Sequence, residues 1–284
     1  VQTCALPIYG QGEWHASNGD SYRGGFAQGL YSGHGRLTTH DSTYEGGFKL
    51  GNREGEGTLK QGTLSYRGDF KDDQFSGDGH LELEDGSQYQ GQFAHGKPHG
   101  TGRRSDASGN EFVGEFVNGE LEGNGIFNSA DGDQYEGAFK HNQLNGKGRY
   151  ENADGDVWSG DFKDGALTGK GELTGIDGSH YSGMFNEWRF NGPGHLSLPD
   201  GSTYVGEFAA DTYQGQGTLT LSDGTVEKGY WINGLRVRDE KGELLPDPLE
   251  LGLLNQGALL TDEIQVSRQW SDGQNSPNAG GRTQ

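Results

Sequence analysis

The sequence predicts an all-β protein, a run of about ten tandem β-hairpins that stack on one shared aromatic face. Three observations predict it. An aromatic–x–Gly–x–aromatic signature recurs every 22 or 23 residues. A Gly-x-Gly pair follows eleven residues after each first aromatic. Residues suited to positive φ stand at both joints between these segments. A fixed period of this length marks a repeat architecture.

The first strand of each hairpin carries the signature. Its core residues are Tyr22, Gly24 and Phe26; Tyr44, Gly46 and Phe48; Tyr66, Gly68 and Phe70; Tyr89, Gly91 and Phe93; and Phe112, Gly114 and Phe116. The series continues with Tyr135, Gly137 and Phe139; Trp158, Gly160 and Phe162; Tyr181, Gly183 and Phe185; and Tyr204, Gly206 and Phe208, with a worn copy at Glu227, Gly229 and Trp231. Positions i, i+2 and i+4 share one face of a strand, so each triplet predicts a buried stripe.

The second strand carries the glycine pair, for example Gly33/Gly35, Gly77/Gly79 and Gly192/Gly194, often with a leucine two residues on. Glycine weakens a strand unless something approaches it closely. An aromatic ring from the adjacent strand, lying over the bare backbone, supplies that reason.

Turn chemistry closes each hairpin. Seven residues after the first aromatic stand Gly29, Gly51, Asp73, Gly96, Gly119, Asn142, Gly165, Asp211 and Gly234, with Trp188 as the exception. Gly, Asn and Asp tolerate positive φ. At the other joint most copies carry Asn-Gly or Asp-Gly, a strong hairpin signal. The two 22-residue units have Asp41 and a shifted Gly62 instead, which predicts turns of a different shape.

These residues resemble the MORN repeat (membrane occupation and recognition nexus), whose pattern runs Y-x-G-x-F, a turn, G-x-G, then D-G-x-x before the next aromatic. The resemblance covers residues 9–234. It implies an elongated, twisted, single-layer antiparallel sheet of about ten tandem hairpins, an open rod, and a non-catalytic module for protein or lipid contacts, often attached to a separate enzyme domain. The segment after Gly234 is similar to the join in bacterial proteins where such repeats precede a legumain-type cysteine peptidase. That peptidase needs a His and a Cys on an α/β domain, and neither constellation exists here.

Beyond the repeats, residues 1–8 read as a non-native leader. Residues 235–266 read as a capping or linker segment, with a helix started by Asp247 as N-cap and Pro248 at its first position. A cap on the last hairpin and a linker into a further domain both fit. Residues 267–284 read as a disordered tail rich in polar and small residues. The compartment stays open between the bacterial envelope or periplasm and the cytoplasm, since a signal region upstream would not be seen.

The net charge of −20 repels nucleic acid and anionic lipid and favours a protein partner of basic or mixed charge. Membrane contact therefore rests on the resemblance alone. The densest basic spots, Arg103-Arg104 and Arg236-x-Arg238, read as solvated faces. An open final hairpin edge leaves pairing with a second copy open.

No catalytic, cofactor or metal residue is assigned. The Gly-x-Gly pairs recur ten times with no helix after them, unlike a dinucleotide turn. Nine histidines lack zinc-enzyme spacing. Asp131, Asp133, Asp154 and Asp156 could pool along one edge for calcium, but one hairpin offers too few oxygens. The candidate interaction residues are Trp188, Arg189 and Phe190, in the most irregular turn; Trp and Arg are enriched in binding hot spots. Three functions stay in view: a scaffold for protein–protein interaction, the regulatory or targeting region of a legumain-type peptidase, and phospholipid-surface binding.

Overall fold

The computed structural model describes residues 9–246. The leader, the helix expected from Asp247 and the polar tail lie outside the described residues. Every regular element among the described residues is a β-strand. The chain divides into two compact units at Ala130/Asp131.

The first unit contains β1 (Tyr9–His15), β2 (Ser21–Ala27), β3 (Leu30–Thr38), β4 (Ser42–Lys49), β5 (Asn52–Gln61), β6 (Leu64–Lys71), β7 (Gln74–Glu82), β8 (Gln88–Ala94), β9 (Lys97–Ser105), β10 (Glu111–Val117) and β11 (Glu120–Asn128). The second contains β12 (Gln134–Lys140), β13 (Gln143–Glu151), β14 (Val157–Lys163), β15 (Ala166–Thr174), β16 (His180–Asn186), β17 (Arg189–Ser197), β18 (Thr203–Ala209), β19 (Thr212–Thr220), β20 (Val226–Ile232) and β21 (Leu235–Asp239). Within each unit every strand pairs antiparallel with its neighbours in sequence, giving an open sheet of tandem hairpins. The ladder runs past Gly234 through β21, where Ile232 faces Leu235.

The joint inside each hairpin is a two-residue turn with both residues at positive φ, as at Gln28 (57°) and Gly29 (78°) or Asp72 (49°) and Asp73 (67°). That is the type I′ turn, whose twist matches the flanking strands. Turns of successive hairpins are tied by backbone bonds: Gly51 N–H donates to Tyr31 O, and Gly165 N–H to Leu144 O, both at 2.9 Å.

At the other joint, the common form closes with Ala16 N–H donating to Asp20 O and Gly19 N–H to Ala16 O. The two shortened units differ, as their spacing predicts: Thr39 N–H reaches Ser42 O, and Gly62-Thr63 alone links Gln61 to Leu64. Two residues before the aromatic, Asp20, Asn110, Asp133 and Asp156 accept the N–H of His40, Ala130, Ala153 and Ile176 in the next turn. Where Ser or Thr stands there, the Asp of Asp-Gly accepts its N–H instead, as in Asp85–Ser87 and Asp223–Thr225.

The rings bury on one face of each sheet. All eighteen signature aromatics are buried. The register sets Gly24 opposite Gly35, then slips so that Phe26 faces Tyr31. The slip gives the two glycines of each pair different tasks. Gly33 sits in the slipped stretch at φ 73°, with open space where a Cβ would be. Gly35 lies under the Tyr22 ring.

The position nine residues after the first aromatic completes the core. Tyr31, Phe75, Phe190 and Tyr213 stack flat on Tyr22, Tyr66, Tyr181 and Tyr204, with centroids 3.5–3.8 Å apart. In three copies buried Leu121, Leu144 and Leu167 fill it instead. Phe112 then stacks on Phe127, and both Tyr135 and Trp158 on Tyr150.

Candidate interaction surface

The turn between β16 and β17 departs furthest from the rule. Glu187 and Trp188 hold φ of 49° and 70°, a region where a bulky side chain is strained. The conformation is held by Trp188 N–H donating to Leu167 O at 3.0 Å and Glu187 N–H to Thr168 Oγ1 at 3.3 Å. The indole packs edge-on against Tyr150 and Phe162, with centroids at 5.3 and 5.5 Å, and meets Trp158 at 6.2 Å. It stays half-buried, and Arg189 beside it is exposed.

Phe190 has a different place. It is 0 % exposed, stacks on Tyr181 at 3.5 Å, and donates its N–H to Asp211 at 2.7 Å. Of the three residues singled out in the sequence, Trp188 and Arg189 reach the surface, and Phe190 belongs to the packed face beneath them. Its place at the nine-residue position is the periodic signal that reveals this.

The basic spots also separate. Arg103 pairs with Glu111 and is a surface residue, as expected. Arg104 is not: its guanidinium lies 4.1 Å from the Phe112 ring centroid and donates to Gly119 O at 2.9 Å. Burial lowers its pKa. Arg104 stands at the position that Leu37 and Leu81 fill in other copies, and it is half-buried there, its side chain laid against the ring.

Of the carboxylates weighed for calcium, Asp133 and Asp156 are engaged locally. Asp133 accepts Ala153 N–H and Asp156 accepts Ile176 N–H, so both tie one turn to the next. Burial, first of several causes, raises the Asp133 pKa. The core tyrosines also titrate high: burial pushes Tyr22, Tyr44, Tyr89 and Tyr135 up to about 12. Tyr22 donates to Gly25 O and Tyr44 to Gly47 O, each at 2.9 Å. The Tyr213 hydroxyl is buried and has no hydrogen-bond partner among the described residues. Among the described residues no helix is long and apolar enough to cross a membrane.

The MORN repeat family model matches residues 22–43, 44–62, 66–88, 89–111, 112–134, 135–157, 158–180 and 204–226. Residues 181–203, the copy that carries Trp188, lie outside the matched stretches. Comparison with curated protein sequences gives no match. Among solved structures, the TCP10 domain of Danio rerio CPAP is similar at 9% identity, over 83% of this chain and 98% of that chain, with a TM-score of 0.25. The SAS-4 (dCPAP) TCP domain of Drosophila melanogaster, in complex with a proline-rich motif of Ana2, is similar at 12% identity over 63% and 85% of the two chains, with a TM-score of 0.27. Overlaps this low carry no argument about fold or partner.

Proposed function

Since the chain belongs to the MORN-repeat family, we propose that it is a non-catalytic repeat scaffold that binds a protein partner of basic or mixed charge. The observation that carries this reading is the use of the repeat residues. The signature aromatics and the ring-covered glycines are consumed by packing, which leaves recognition to departures from the repeat. The largest departure is the Trp188 turn. A large aromatic kept at φ 70°, beside an exposed Arg189, is the kind of strained, Trp- and Arg-bearing spot that anchors a partner. The charge of −20 supports a basic partner and weighs against nucleic acid and anionic lipid.

Affinity capture with the full chain as bait tests this reading, comparing wild type with Trp188→Ala. A specific protein is expected to be retained by wild type and lost with the variant, while the far-ultraviolet circular dichroism of the two stays alike. No retained protein, or equal retention by a folded Trp188→Ala, would overturn it.

A further inference from the structure

The face opposite the rings has its own feature in the first unit. Gly46, Gly57, Gly68, Gly79 and Gly91 face one another across β4 to β8 in one continuous row. These glycines floor a cleft of about 970 Å³. Its other lining residues stand one position off the glycines, so their side chains point away from the aromatic face. One wall is mixed: Glu45, Thr58, Arg67, His80 and Gln90 follow each other in register on successive strands. The other wall, which His34 begins, is acidic, with Glu56, Asp69 and Asp78 on β5, β6 and β7.

The acidic wall is uncompensated. Glu56 and Asp69 are directly opposed, an arrangement that destabilises a sheet. Among the described residues neither they nor Asp78 has an ion-pair partner. The second unit resolves the same site differently: Lys147 and Asp161, at the positions of Glu56 and Asp69, are opposed and paired at 2.7 Å.

We propose that this trough is the docking groove for an extended Lys/Arg-bearing segment of a protein partner. The proposal rests on the scaffold reading and adds a place and a chemistry to it. The geometry limits the occupant. Residues two apart on a strand are about 6.6 Å apart, and four strand intervals span about 19 Å, so the trough suits a slender chain laid across the strands. The glycine backbone is already paired in the ladder, so recognition falls to the wall side chains. An incoming cation relieves the Glu56–Asp69 repulsion, which makes charge complementarity the selective element.

The test is fluorescence anisotropy with the full chain and a labelled peptide of alternating Lys and Ser. Binding is expected at low salt and is expected to weaken at least about tenfold in the triple variant Glu56→Gln, Asp69→Asn, Asp78→Asn. A control variant, Glu172→Gln, Glu207→Gln, Glu240→Gln, makes the same change in net charge outside the groove and is expected to bind like wild type. The triple variant is also expected to gain urea resistance, since it removes like charges, so lost binding is not lost folding. No binding by wild type, or equal weakening by both variants, overturns the groove. A groove variant that still captures the natural partner fully overturns the groove and leaves the scaffold reading standing; failure of wild type to capture any partner defeats the scaffold reading itself.

Discussion

The Tyr66 phenol lies over Gly79 on the neighbouring strand so closely that a Cβ there would collide with Tyr66 Oη and stand 2.7 Å from two ring carbons. The hydroxyl also donates to Asp69 O at 2.9 Å, so the ring cannot swing away freely. Gly79→Ala should therefore destabilise the first unit by about 1–3 kcal/mol through overpacking. Tyr66→Phe keeps the ring, loses the bond and should cost about 0.5–1.5 kcal/mol. Pairing Gly79→Ala with Tyr66→Leu removes the clash, so the costs should not add. Urea midpoints of wild type, Gly79→Ala, Tyr66→Leu and the double variant decide it, and strict additivity would refute the ring-over-glycine account.

Trp188 separates backbone strain from ring packing. Trp188→Gly and Trp188→Ala both lose the edge-on contacts with Tyr150 and Phe162. Only glycine also relieves φ of 70°. The Gly variant should be more stable than the Ala variant by about 1 kcal/mol. Equal urea midpoints would show that the turn tolerates an L-residue without strain.

Tyr213 stacks on Tyr204 at 3.8 Å, but its buried hydroxyl has no partner among the described residues. Leaving a buried donor unmade costs more than removing it. Tyr213→Phe keeps the ring and should raise stability by about 1 kcal/mol. A loss of stability on chemical unfolding would mean that the hydroxyl is satisfied.

The tyrosine core should fail in alkali. Burial lifts the phenols of Tyr22, Tyr44, Tyr89 and Tyr135 to about 12, against an ordinary value of about 10. Between those values the folded state holds more protons than the unfolded one, so stability falls as pH rises. It should be complete below about pH 10 and decline until about 12. Phenolate absorbance should then rise together with the loss of circular dichroism. A gradual titration with the fold intact would contradict the burial of these hydroxyls.

Much of this was legible in the sequence because the repeat states it ten times. The period placed Tyr22, Phe26 and their counterparts on one buried face, and the spacing of Asp41 and Gly62 foretold two different turns. Phe190 was harder. Beside Trp188 and Arg189 it reads as part of a surface patch, and only the nine-residue position that it shares with Tyr31 and Tyr213 marks it as core. Arg104 was hidden for a related reason: a charged residue reads as solvated until a ring such as Phe112 is seen beneath it.

By itself the sequence determined the repeat, the hairpins, the joints and the aromatic face, since period and turn chemistry are local properties of the chain. Tertiary structure decided what depends on neighbours across strands. The register slip makes Gly33 a conformational requirement and Gly35 a steric one, although the two look alike in sequence. Cross-strand pairing likewise sets Glu56 against Asp69, where their separation along the chain gives no hint that the two charges meet.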